Sequence, residues 1–295
     1  VRKIKFHSFI DLKLLISEGA MTYGEFLVPI SGGVDDAKIL PRVAAFHKVF
    51  PNPVTLFYAE PDPSDMLVWS ADGMVSGMNA NLVETMKKST QEVWEKIVQE
   101  AGKYSDFALE REIGLMDSIL PERAALCDLM VVSDYCACGK STISPAFEEA
   151  LMHNGIPALV LHDREKFDFS NIAIAWDGSP QSARAVKAAM PFLKAAKYVT
   201  ILHVLGGPTQ SKTLIKDPNK LKTKLANHGI AAEVLVQDVI GKSVGDTLLS
   251  LVNKLDVELM VAGAYGHSRA REFVFGGVTR CMLRCEDGPH LVISH

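Results

Sequence analysis

The sequence predicts an α/β fold of two tandem, doubly wound parallel-sheet domains. Three observations lead there. The chain has 295 residues, enough for two domains that each bury a core. Four strand-like landmarks occur twice in the same order. Helical patterns separate these strands, and strand-helix alternation implies right-handed crossovers and a mostly parallel sheet covered on both faces.

In the first copy the opening landmark is FLVPISGG at residues 26–33; in the second it is IAIAWDGS at 172–179. Each is an apolar run that enters a small-residue turn and then a helical pattern. The helices containing RVAAFHKVF and ARAVKAAMPFL lead to β-rich second strands, VTLFY at 54–58 and VTILH at 199–203. A helix follows in the first copy, where Leu82, Met86, Val93, Ile97 and Ala101 fall at helical spacing. The short third strands are FALERE from Phe107 and AEVLVQ from Ala232. DLMVV at 128–132 pairs with VELMV at 257–261, and IPALVL at 156–161 pairs with GPHLVI at 288–293. The divisions are therefore an extension at 1–20 outside the fold, a first domain at 21–161, a polar linker at 162–170 reading HDREKFDFS, and a second domain at 171–295. Exposed apolar last strands invite pairing, so PALVL and PHLVI are expected to meet within the chain.

Composition narrows the function classes. Apolar residues make up 48% and the formal net charge is −4, which gives no sign of a nucleic-acid partner. No uncharged apolar run reaches the roughly 18 residues of a membrane span, and Asp11 and Lys13 interrupt the apolar start. Five cysteines, an odd number without a disulfide framework, favour a reducing compartment and a cytoplasmic location.

Ligands of open α/β sheets sit beyond the carboxyl ends of the strands, where strand order reverses. After the fourth strand of the second copy come Gly263-Ala264-Tyr265-Gly266, nine residues, and then Gly276-Gly277-Val278-Thr279 at the start of a helical RCMLRCE. Glycines let a backbone approach phosphate oxygens, and amides at a helix start face anions. An ordinary glycine-rich loop is the alternative.

On these residues the chain resembles the universal stress protein family, whose nucleotide binders carry G-x2-G-x9-G followed by a small hydroxyl residue. Gly263, Gly266 and Gly276 fit that spacing; Gly277 departs from it and lacks the hydroxyl, leaving backbone amides for phosphate. The resemblance implies an adenine nucleotide alpha hydrolase-like, Rossmann-like fold. It also implies that Asp177 contacts the ribose or adenine region, that the backbone at Val204 recognises adenine, and that Ala175 lines the same pocket. His267, within the loop, either touches phosphate or faces solvent. The implied ligand is ATP, ADP or AMP, with Mg as an optional companion, and the implied role is nucleotide-dependent regulation or partner binding in stress response, with any ATPase activity weak. An unidentified protein partner and homodimerisation belong to the same expectation.

The first copy is expected to lack this site. Its loop after the fourth strand reads SDYCACGKS at 133–141, without the early glycines, and Ser31 stands where the second copy has Asp177. Two domains in one chain then resemble the homodimer of single-domain relatives, an internal pseudo-dimer. A rival reading is the SGGVDD turn at 31–36, close to the phosphate loop of ATP pyrophosphatases and adenylating enzymes, although Asp36 stands where that motif needs Ser. A nucleotide-free scaffold is the third reading. The GKS triplets at 139–141 and 241–243 lack the upstream glycine of a P-loop. Cys136 and Cys138 lack the partners of a metal set, Cys281 and Cys285 fit helix packing, and His203 fits a packed strand end. No nucleophile-base-orienter set is recognisable by spacing, so no catalytic residue is assigned.

Overall fold

A computed structural model describes residues 23–62, 80–164, 167–205, 217–239, 243–264, 277–283 and 288–295. The extension at 1–20 and the site candidates Gly266, His267 and Gly276 lie outside these residues, as does Cys285. The first half runs β1 (Phe26–Ile30), α1 (Asp36–Val49), β2 (Val54–Glu60), α2 (Ala80–Ala101), β3 (Phe107–Ile113), α3 (Met116–Ala124), β4 (Leu129–Ser133), α4 (Asp134–Ala137), α5 (Ser144–Met152) and β5 (Ala158–Leu161). The second half runs β6 (Asn171–Ala175), α6 (Pro180–Ala188), α7 (Met190–Ala195), β7 (Tyr198–Leu205), α8 (Pro218–Ala226), β8 (Glu233–Asp238), α9 (Val244–Lys254), β9 (Leu259–Gly263), α10 (Gly277–Leu283) and β10 (His290–Ser294).

The described strands form one ten-stranded sheet in the order β3-β2-β1-β4-β5-β10-β9-β6-β7-β8. Read outward from its centre, each half has the same order, and all pairings within a half are parallel. At the centre β5 and β10 pair antiparallel, with Val160 opposite Leu291 and Ala158 opposite Ile293. PALVL and PHLVI therefore do meet, each covering what would otherwise be an apolar edge.

Alternation along the strands divides the core between the two faces. Phe26, Val28 and Ile30 enter one apolar cluster, and Leu27 enters the other. Both clusters draw residues from both halves, so the packing is continuous across the seam. On one face Phe192 of α7 lies 6.1 Å from Phe46 of α1 and 4.7 Å from Phe50, while Phe169 lies 5.6 Å from Phe192. Such ring pairs contribute about 0.5–1.5 kcal/mol each beyond their buried area.

α1 buries Ile39, Leu40, Val43 and Phe46, one stripe at helical spacing. α9 is capped by Ser243, which accepts from the Asp246 amide at 3.1 Å and donates to the Asp246 carboxylate at 2.8 Å. Two details depart from the sequence reading. The segment ARAVKAAMPFL is two helices rather than one, because Pro191 has no amide to continue the ladder and restarts the chain as α7. Within the polar linker at 162–170, the described His162, Phe167 and Phe169 are buried, and Phe167 stacks on His290 at 4.6 Å. Phe167 and Phe169 alternate with Asp168 and Ser170, and the seam offers both rings a surface.

Candidate functional site

In the second half, strand order reverses between β6 and β9. Ala175, the last residue of β6, pairs with Ala262 on one side and Leu202 on the other. Gly263 ends β9 one residue later. The structure thus brings Ala175, Asp177 and Gly263 to the same end of adjacent strands at the reversal, with Val204 next in line near the end of β7.

The turn leaving β6 has its own local logic. Trp176 donates its amide to Leu202 O at 2.9 Å, and its carbonyl meets His203 Nδ1 at 2.8 Å, which ties the ends of β6 and β7 together. His203 is a packed strand-end histidine. Gly178 has φ +73°, where a side chain would be strained. Asp177 is exposed, with Oδ1 accepting from the Ser179 amide at 2.9 Å. A carboxylate held by a two-residue turn keeps further acceptor sites for ligand hydroxyls. Ser179 then caps α6 by accepting from the Ser182 amide at 3.1 Å.

Gly263 explains itself by contact. A Cβ there would lie 2.6 Å from the Ser182 amide nitrogen and 2.9 Å from the backbone of Gln181. Only glycine lets the end of β9 approach the first turn of α6 this closely. Val278 is half-buried on α10, whose first residue is Gly277 and which also carries Thr279.

The first half has the same strand-order reversal, between β1 and β4, and places carboxylates of its own at the turn. The αL glycine of the first turn is kept as Gly32, φ +76°. Beyond it the Asp36 carboxylate accepts from the Gly32 amide at 2.6 Å and from the Ser31 amide at 3.0 Å. These are the donors that an anionic ligand at this turn would use. Burial pushes the Asp36 carboxyl up to about 6, despite the two amides that favour its charge. Asp35, also buried, accepts from Ser133 Oγ at 2.7 Å, bridging the start of α1 and the end of β4. Pairing between those strands is confined to Phe26 with Leu129 and Leu27 with Met130, since Pro29 has no amide to extend the ladder. α2 closes the top: a Cβ on Gly32 would lie 2.5 Å from Val93 Cγ1 and 3.4 Å from Ile97. The SGGVDD turn therefore holds its own carboxylate where the pyrophosphatase reading would put phosphate.

The cysteines sort by surroundings. Burial raises the thiol of Cys136 and pushes that of Cys127 up to about 12, so both are thiols at neutral pH. Cys138 Sγ donates to Leu283 O at 3.1 Å, and half-buried Cys281 lies 3.9 Å from the Asp246 carboxylate. Among the described residues no group of three or more His, Cys, Asp or Glu is placed to hold a metal, and no helix is long and apolar enough to cross a membrane. The sequence reading did not single out the seam histidines. His162 and His290 are fully buried, and the His162 amide donates to His290 Nδ1 at 3.2 Å. His162 follows the end of β5 and His290 opens β10, so only the antiparallel seam brings the two together.

Comparison with known proteins agrees with this architecture. A universal stress protein from Archaeoglobus fulgidus superposes with a TM-score of 0.63 at 14% identity, covering 92% of this chain and 96% of that one. A Pseudomonas aeruginosa protein assigned provisionally to the same group gives a TM-score of 0.50 at 14% identity, covering 92% of each chain. At that identity the likeness speaks for the fold. No curated protein matches by sequence. By sequence, residues 168–293 match the Universal stress protein family. The second half, with Asp177 and Gly263 at its strand-order reversal, is the part of the chain that matches the universal stress protein family, within an α/β fold that solved universal stress proteins share over most of the chain.

Proposed function

We propose that the chain binds one adenine nucleotide, in the crevice of its second half, and acts as a nucleotide-dependent regulator or partner-binding protein in stress response. One observation carries the reading: at the two equivalent strand-order reversals, the turn after the first strand is used differently. In the first, Asp36 and Asp35 satisfy the turn amides and the Ser133 hydroxyl. In the second, Asp177 is exposed and Gly263 brings β9 against the start of α6 without a side chain between them.

In this reading Asp177 accepts ribose hydroxyls, the Val204 backbone and Ala175 bound the base, and Gly263, Gly266, His267, Gly276, Gly277, Val278 and Thr279 surround the phosphates. Backbone amides, with Mg where the triphosphate is bound, balance the phosphate charge. Phosphoryl transfer needs a positioned metal and an oriented acceptor as well. The proposal assigns no catalytic residue and at most weak ATPase activity. The two halves are tandem domains whose antiparallel seam acts as a built-in pseudo-dimer contact, and the protein works in the cytoplasm.

Mass spectrometry of ligand released from purified, folded protein tests the reading. Recovery of ATP, ADP or AMP near one per chain supports it. Absence of bound nucleotide, together with no calorimetric binding at millimolar ATP, leaves the nucleotide-free scaffold.

A further inference from the structure

The antiparallel seam puts the carboxyl end of β10 beside the start of β5, and a recess of about 360 Å³ opens there between the two halves. One wall is helical and comes from the second half: Arg184, Lys187 and Ala188 of α6, with Pro191 of α7. The other comes from the first half: Tyr23, Asp128 and Pro157, which precede β1, β4 and β5. Ser294, the last residue of β10, also lines it.

Tyr23 ties the walls together: its hydroxyl donates to Ala188 O at 2.5 Å, and its ring lies 5.1 Å from that of Phe192. Ser294 follows Val292 by two residues, so its side chain stands on the Val292 face of the sheet, where Tyr23, Ala185 and Phe192 join the same apolar cluster. Ser294 is only 2% exposed, and among the described residues its hydroxyl has no hydrogen-bond partner. A buried hydroxyl that lines a recess is a ready contact for a ligand's polar group. Arg184 and Lys187 are exposed and lie three residues apart on α6, where side chains are neighbours. Arg184 Nε donates to His295 O at 2.5 Å, and among the described residues neither cation pairs with an Asp or Glu. On the first-half wall Asp128 Oδ2 accepts from the Gly24 and Glu25 amides at 2.5 and 3.1 Å. Two cations and one carboxylate leave a single positive charge in excess.

Small-molecule sites favour the boundary between two domains, where apolar walls take the body of the ligand and a few polar groups orient it. We propose that this recess binds a small organic monoanion, a carboxylate on a ring-sized apolar body, with the carboxylate at Arg184 and Lys187 and the body against Pro157, Pro191 and the Tyr23 ring. One excess charge suits a monoanion, whereas Asp128 repels a polyanion such as ATP. None of these residues is among those assigned to the nucleotide. Each half supplies one wall, so the ligand binds only the joined halves and stabilises them by mass action.

The test titrates the full chain with 2-naphthoate and with its neutral isostere 2-naphthamide by calorimetry, in the absence and presence of ATP. Saturable binding of one 2-naphthoate per chain is expected, about fivefold tighter than 2-naphthamide and unchanged by ATP. Lys187→Ala and Arg184→Ala are each expected to weaken 2-naphthoate by about twofold to fivefold, the scale of one exposed ion pair. Lys187→Glu reverses the excess charge and is expected to weaken it by about tenfold or more. Both side chains are exposed, so the unfolding midpoint without ligand is expected to stay at the wild-type value. The comparison of the two probes on wild type needs no variant. Absence of saturation at about 10 mM 2-naphthoate, equal affinity for 2-naphthamide, undiminished binding in Lys187→Glu, or displacement by ATP each overturns the proposal.

Discussion

Ser133 donates to Asp35 across 2.7 Å at the end of β4, at the place where β9 ends in Gly263. A hydroxyl-carboxylate bridge in one half thus replaces a bare backbone approach in the other. This single exchange distinguishes the two strand-order reversals.

Giving the second half the serine of the first tests that separation. In Gly263→Ser the new Cβ meets the Ser182 amide and the Gln181 backbone, which cannot yield as a flexible side chain would. The expected cost is about 1–3 kcal/mol of stability, as for overpacking elsewhere, read by denaturant unfolding. A variant as stable as wild type would show that β9 and α6 do not approach this closely.

Gly32 and Gly139 provide a matched pair. Both have φ near +80°, at +76° and +79°, but a Cβ on Gly32 meets Val93 at 2.5 Å, whereas nothing lies within 4 Å of one on Gly139. Gly139→Ala is expected to cost about 1–2 kcal/mol for the left-handed backbone, and Gly32→Ala about 1–3 kcal/mol more for the clash under α2. Equal losses would mean that α2 does not close the first crevice.

Asp36 makes the pH dependence specific. Its carboxyl is raised from 3.8 to about 6, so the folded state holds more protons than the unfolded state between those values. Its contribution to stability is full below 3.8 and is lost as pH rises through about 6. The stability of wild type minus that of Asp36→Asn is therefore expected to grow as pH falls from 7 to 4, by up to about 3 kcal/mol at about 1.4 kcal/mol per unit. A difference independent of pH would contradict the burial of a charged carboxylate against the Ser31 and Gly32 amides.

His162 has the opposite sign. Burial and Arg42 lower its value below 6.5, and Asp134 opposes this only in part. The unfolded chain then binds the proton better, so stability present above 6.5 is lost as pH falls below it. His162→Leu removes the dependence and the two orphan ring nitrogens. Relative to wild type it is expected to gain stability progressively from pH 7 to pH 5. A constant gap over that range would rule out a buried, neutral His162.

Much of the fold was legible because its signals are local and occur twice. Runs such as VTLFY and VTILH need only β-propensity and burial to declare themselves, and their shared order gave the topology of both halves. The meeting of β5 and β10 followed from the apolar character of both strands. The packed connection was less visible, since Phe167 and Phe169 are spaced by charged residues and become core only once the seam exists. In the first half, Ser31 and the missing glycines were legible as departures from the second half. The filling of its turn was not, because the hydrogen bonds from Ser31 and Gly32 to Asp36, and from Ser133 to Asp35, depend on how the chain turns after β1 and where β4 ends. The same holds for Cys138 and Leu283, which are 145 residues apart and are joined only by the fold.

The most direct measurement is the nucleotide stoichiometry of the full chain by native mass spectrometry in ATP and Mg, for wild type and Asp177→Ala. One nucleotide per wild-type chain, with binding weakened about tenfold or more in Asp177→Ala, is the expected result. Two nucleotides per chain, or one that Asp177→Ala leaves undisturbed, would contradict the division between a filled first crevice and an open second one.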